Sequence, residues 1–248
     1  MTDDRDAVPD DRDAVYSVIE HAITQQPRTL QRAIGPSELA MDCEHCLAAK
    51  LAGWEKMPEA AWLPFLGTAL HAALEEIFEP LDGWLTETRV SVGTVRGQEV
   101  LGTSDLFRVE TGCVIDHKLV GATTLTSAKR GPTAQYRGQA HLYGLGFFRA
   151  GYDVKKVAIN YLPRNAVSLR AGVWWEEPFD PLAALAALDR VEELGRLLDD
   201  LAAVSIESRD SYIRGLPRSG KCFDCRKYPD APRKAPASSL DDLLGVAG

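Results

Sequence analysis

"CVIDHKLV", residues 113–120, decides how this chain folds. Its apolar, β-branched residues read as a buried strand. Asp116 and Lys118 interrupt that run two residues apart, and alternation puts both on one face with Val114. Cys113, Ile115 and His117 take the other face, so Cys113 is expected in the core. A strand built for the interior needs a reason to carry an acid and a base on one side.

Upstream, "GTSDLF" holds another acid, Asp105, in a second strand-like run, and the link around "VETGC" is short. A two-residue turn at Glu110-Thr111 sets 105 opposite 116, and one at Thr111-Gly112 sets it opposite 118. Both registers bring Asp105 to the face of Asp116 and Lys118. A regular three-residue loop would set it opposite His117 instead. Two carboxylates and an ammonium thus converge within one hairpin. Unpaired buried carboxylates are costly, and a divalent cation is a common remedy. The competing reading is a buried salt bridge from Lys118 to one acid, which leaves the other over.

Elsewhere in the chain a helix is expected over 14–26, and Ser37 is expected to cap one running through Leu39, Leu47 and Leu51 to near Gly53. "PEAAWLPFLGTALHAALEEIFEP" reads as another helix, broken at Pro64 and stopped by Pro80. Strand-like "TETRVSVGTV" and "EVLGTSDLFRV" precede the opening stretch. Helical "TAQYRGQAHLYGLGFFRAG" follows it, then strand-like "VKKVAINYLPR" and "VSLRAGVWW" and a leucine-rich helix over 181–208. This order predicts an α/β fold, a central mixed β-sheet flanked by helices. Residues 1–13 are expected to be a disordered acidic tail, 14–228 one domain, and 229–248 a flexible Pro/Ala-rich tail.

The 248 residues are 45% hydrophobic and 26% charged, ordinary for a globular protein. No apolar run reaches the roughly 20 residues needed to span a bilayer. The acidic N-terminus lacks the order of a signal peptide, so a cytoplasmic protein with reduced cysteines and no membrane partner is expected. Between His117 and Arg170 nine Lys and Arg face one acid, Asp153. That local charge of +8, against −8 for the whole chain, leaves −16 elsewhere. A basic middle suits a polyanion; a merely solvated basic face is the plainer alternative.

Gly67 to His71 spans Gly-x-x-x-His, Gly102 to Asp105 Gly-x-x-Asp, Asp116 to Lys118 Asp-x-Lys, and Gln139 to Tyr143 Gln-x-x-x-Tyr. Each is weak alone. All four in this order resemble the RecB-type branch of the PD-(D/E)xK nuclease superfamily over about residues 37–225, with Asp116 where many members have Glu. The resemblance implies a restriction-endonuclease-like core and a metal-dependent DNA exonuclease, acting on single-stranded or free ends in recombination, repair or replication. A virus-encoded origin and a recombination or replication partner belong to the same implication. Catalytic residues would be Asp105, Asp116 and Lys118. His71, Asp105, Asp116 and the His117 carbonyl would hold Mg²⁺ or Mn²⁺. Lys118 would orient or deprotonate water, the latter requiring a lowered pKa. Gln139, Tyr143, Lys129, Arg130 and Arg137 would contact DNA or support the site, with Glu75 as an outer candidate. Tyr136, Tyr143, Phe147 and Phe148, near the basic segment, could stack on bases, although most of them are expected in the core. The alternatives are a non-catalytic DNA-binding adaptor and a structure-specific endonuclease.

Cys43 and Cys46 form "CEHC", and Cys222 and Cys225 form "CFDC". Two CxxC pairs are a strong metal signal. Their wide separation resembles the iron-sulfur staple of CRISPR-associated and AddB-type nucleases, which implies a [4Fe–4S] cluster joining both ends of the domain, with Zn²⁺ as the alternative. Those relatives divide their cysteines one and three, this chain two and two. His45, between the first pair, is expected to be solvated, and the terminal "SSLDDLLGVAG" to be a frayed tail.

Overall fold

The computed structural model describes residues 11–25, 34–57, 59–219, 222 and 224–230. The tails at 1–10 and 231–248 lie outside the described residues. Helix α1 runs Asp11–Thr24, so three residues expected in the acidic tail are helical.

Five strands form one mixed sheet in the order β1-β2-β3-β4-β5. β1 (Trp84–Val95), β2 (Gln98–Arg108) and β3 (Cys113–Val120) make an antiparallel meander. The chain then crosses through α5 (Ala122–Ala128) and α6 (Ala134–Arg149) to β4 (Lys156–Pro163), parallel to β3. β5 (Val173–Pro178) closes the edge antiparallel to β4. The β2–β3 link is a 3-10 turn at Val109–Thr111 closed by Gly112 at φ 61, a left-handed position that favours glycine. It is four residues long rather than two. Leu106 still pairs with Ile115 and Arg108 with Cys113, the offset that sets 105 opposite 116.

Alternation along β3 sorts the layers. Val114 belongs to the main core, with Phe107 and residues of α6 such as Leu142 and Phe147. α7 (Pro181–Val204) adds Ala184, Leu188 and Val191 to it. Cys113 and Ile115 face the other side and pack with Leu106, Ala158, Trp84 and Phe78, the last from α4 (Trp62–Phe78). Cys113 is therefore core, as its parity requires.

Three helix expectations change. Ser37 is not a cap: α2 (Pro36–Leu39) starts from Gly35, whose N–H donates to Glu38 Oε2 at 3.0 Å. A separate α3 (Glu44–Leu51) starts from Cys43. Pro64 does not break α4, because it sits in the first turn, where no intrahelical N–H is lost. The leucine-rich helix ends at Val204; Ser205 is extended, and its hydroxyl accepts the Ser208 N–H at 3.0 Å to cap α8 (Ile206–Gly215).

Candidate active site and cysteine centre

The β2–β3 ladder ends at Leu106 and Ile115. Beyond it the His117 N–H donates to Asp105 Oδ2 at 2.6 Å, so a carboxylate stands where a strand carbonyl would. α4 crosses this opening and delivers His71. Its Nδ1 lies 3.2 Å from Asp105 Oδ1 and 3.8 Å from Glu87 Oε1. Its Nε2 lies 3.2 Å from the His117 carbonyl oxygen. The hydrogen bond to Asp105 raises the His71 pKa against the opposing effect of burial. Burial works to raise Asp105 in turn, but His71 outweighs it and the net shift is downward.

On β3, Lys118 Nζ donates to Asp116 Oδ1 at 3.0 Å and lies 2.8 Å from Oδ2. The salt bridge anticipated as the competing reading is thus formed, and Asp105 is the acid left over. Asp116 is 1% exposed, and its Oδ2 makes no hydrogen bond. Burial pushes its pKa up to about 6 against the pull of Lys118, with the charge of Asp105 adding to the rise. The lowered ammonium pKa that a base role for Lys118 requires is not found. Burial pulls that way, but the charges of Asp116 and Asp105 outweigh it and hold the ammonium above its ordinary value.

Gln139 and Tyr143, one turn apart on α6, are buried. Gln139 Oε1 accepts from Lys118 Nζ at 3.2 Å, and its Nε2 reaches Tyr143 Oη at 3.5 Å. They brace the lysine, which also lies 5.0 Å above the Tyr136 ring. Arg137 is held by Glu177 at 2.5 Å, an acid it shares with buried His141. Lys129 and Arg130 are exposed at the end of α5. Phe147 stacks on Phe107 at 4.4 Å, whereas Phe148 is 57% exposed. No hydrogen bond or ion pair joins Glu75 to the site among the described residues.

Glu87 was absent from the sequence-derived site. Its carboxylate, His71 and Asp105 bring their donor atoms within 4.8 Å of one another. Asp116 stands outside that group, beside its lysine. Glu87 sits in β1 at φ 40, between Thr86, paired with Leu106, and Thr88, paired with Ser104, and hence across from Asp105. A left-handed non-glycine residue inside a strand is strained by of order 1 kcal/mol.

In a separate cluster, Cys43 Sγ lies 3.4 Å from Cys225 Sγ. Cys46 Sγ lies 3.4 Å from Cys222 Sγ and 3.3 Å from Cys225 Sγ. All four sulfurs fall within 4.8 Å of one another, a group able to hold a metal ion. His45 is not solvated: it is fully buried, edge-on to Trp54 and Tyr228, with Nε2 2.9 Å from Asp230 Oδ2. It occupies the first turn of α3, which packs into a small core formed with α7 and α8.

No protein-family model matches the chain, and no curated protein matches it. Solved structures that match include SSO0001, at 18% identity and TM-score 0.49 over 73% of this chain and 86% of that one. The alkaline exonuclease LHK-Exo from Laribacter hongkongensis matches at 13% identity and TM-score 0.44, covering 76% of this chain and 98% of that one. LHK-Exo in complex with dAMP matches at 15% and 0.48, covering 73% and 94%. At these similarities none of the three bears on the chemistry of the site. Among the described residues no helix is long and apolar enough to cross a membrane.

Proposed function

We propose that this chain is a metal-dependent deoxyribonuclease that hydrolyses phosphodiester bonds. The observation that carries this reading is the gathering of His71, Glu87 and Asp105 within 4.8 Å, next to a buried Asp116–Lys118 pair. An imidazole and several carboxylates suit Mg²⁺ or, with the softer nitrogen, Mn²⁺. Asp116 Oδ2 is buried with the Lys118 ammonium 2.8 Å away, so a metal ion there would share the carboxylate with the lysine. His71, Asp105, Asp116 and the His117 carbonyl would hold the ion, with Glu87 added. Once bound, the ion supplies charge neutralisation at the phosphate and a more acidic water.

The residues around it divide the remaining work. Lys118 keeps its proton, so it acts as a fixed positive charge that orients water and stabilises the phosphorane-like transition state. Gln139, with Tyr143 behind it, fixes where that charge points. Lys129 and Arg130 are free to meet phosphates along the strand, while Arg137 serves as a partner of Glu177. Preference for free, single-stranded ends, and a role in recombination, repair or replication, rest on the four-motif resemblance alone.

The test incubates purified protein and Mn²⁺ with end-labelled linear and circular single-stranded DNA. Loss of linear DNA alone is expected. Nicked circles would make the enzyme an endonuclease, and binding without cleavage would make it an adaptor.

A further inference from the structure

We infer that the four-cysteine centre holds one tetrahedral zinc ion, and not the [4Fe–4S] cluster that the resemblance implies. Sulfur spacing separates the two. A zinc ion about 2.3 Å from each thiolate places tetrahedral sulfurs ~3.8 Å apart. The three sulfur pairs at 3.3, 3.4 and 3.4 Å, with all four atoms inside 4.8 Å, are close to that figure. In a [4Fe–4S] cube each thiolate ends on a different iron and points away from the cube centre. Its four sulfurs must stand around eight atoms, and these sulfurs leave room between them for one.

Connectivity excludes the smaller cluster as well. A [2Fe–2S] rhomb separates its thiolates into two pairs, one for each iron. Here Cys46 is in contact with both Cys222 and Cys225, and Cys225 with both Cys43 and Cys46. No division into two separate pairs satisfies those contacts. Every one of them also joins an N-terminal sulfur to a C-terminal one, so a single ion would tie α3 to the segment after α8.

The surroundings fit a closed structural site, in which all four positions are filled by protein. Cys43 and Cys46 are 1% and 0% exposed. Tyr228 Oη donates to the Cys46 carbonyl at 3.2 Å. Asp230 accepts from Arg218 at 2.6 Å and lies 2.9 Å from His45. These contacts fix the backbone that carries the thiolates, as outer partners do around structural metals.

The test uses the full chain, purified without oxygen from cells supplied with both iron and zinc. One zinc per chain, no acid-labile sulfide, and four sulfur neighbours at about 2.3 Å in zinc X-ray absorption are expected. Iron and sulfide in equal amounts in a brown protein would overturn the inference. So would one iron without sulfide, or a chain free of metal. His71→Ala and Asp105→Ala should keep the zinc; its loss in either variant would place the ion elsewhere and defeat the assignment. Metal content is read without substrate, so this outcome stands apart from that of the cleavage assay.

Discussion

Lys118 touches Asp116, Gln139 and the Tyr136 ring, whereas Asp105, expected on the same face, is held by His71 and the His117 N–H. Truncating one partner of a buried ion pair typically costs about 3 kcal/mol or more. Lys118→Ala should therefore lower the stability of the metal-free protein by about 3 kcal/mol in urea titration. Mn²⁺ should restore part of it by supplying the missing positive charge, while cleavage stays at background. Normal cleavage by the variant would remove Lys118 from the chemistry. Asp116 makes a pH prediction. Its pKa is raised to about 6, and a cation binds the ionised form. Mn²⁺ affinity by calorimetry should then fall as pH drops through about 6, on top of the loss that protonation of His71 brings, since its pKa is also raised; the same pH profile in Asp116→Asn would show that Asp116 is not a ligand. Glu87 marks where the residue-level reading stopped. Leu85 packs against the main core that holds Val90 despite their opposite parity, so side-chain alternation changes between them although the pairing with β2 keeps its register through Thr86 and Thr88; Glu87 lies in that stretch at φ 40. Extrapolating from Val90 and Val92 turns that acid outward, and no residue type announces the slip. Glu87→Gln should weaken Mn²⁺ binding roughly tenfold, or about 1.4 kcal/mol; unchanged binding would leave it outside the metal site.

At the scale of elements, the hairpin register was legible because only two-residue parity was needed, and parity survives lengthening the loop from two residues to four. The real link is a 3-10 turn, yet Asp105 still arrives beside Asp116. Helix ends were less legible. Ser205 had the chemistry of a cap, but leucines spaced helically on its N-terminal side gave no sign that the backbone turns extended there. α5, "ATTLTSA", has β-branched residues and no apolar stripe; its helicity follows from the crossover that must return the chain parallel to β3. The two motif glycines separate into different roles. A Cβ on Gly102 would lie 2.4 Å from Pro36 Cγ and 2.9 Å from Tyr143 Cε1, so α2 and α6 close over β2 only because it is glycine. Gly102→Ala should cost about 1–3 kcal/mol in denaturant unfolding. A Cβ on Gly67 would meet nothing within 4 Å, although it lies one helical turn from His71. Gly67→Ala should stabilise α4 by up to about 1 kcal/mol and still reduce cleavage, because the methyl occupies space over the site that DNA must enter. A stabilised variant with full cleavage would make that glycine incidental.

At the scale of the molecule, the sheet and the cysteine centre belong to different cores. The first is built on β1–β4, α6 and α7. The second contains Met41, Cys43, Cys46, Ala48 and Ala49 of the α3 region, with Leu198, Ile213 and Tyr228. Leu198, and the partly buried Leu194 packed beside it, come from the long α7 helix that also serves the main core. So few apolar side chains cannot by themselves offset the entropy of ordering α3, α8 and residues 222–230. A closed metal site contributes on the order of 10 kcal/mol in small domains that depend on one. Replacing Cys222 and Cys225 together by Ser should therefore release this lobe and spare the other. Hydrogen exchange should show α3 and α8 losing protection while β2, β3 and β4 keep theirs. Mn²⁺ affinity at the His71 site should stay near that of the unaltered chain, since His71, Glu87 and Asp105 all hang on the sheet and on α4. If the strands lose protection together with α3, the two cores form one cooperative unit. The cysteine centre would then be holding the active site itself in shape, and not only tying α3 to the segment after α8.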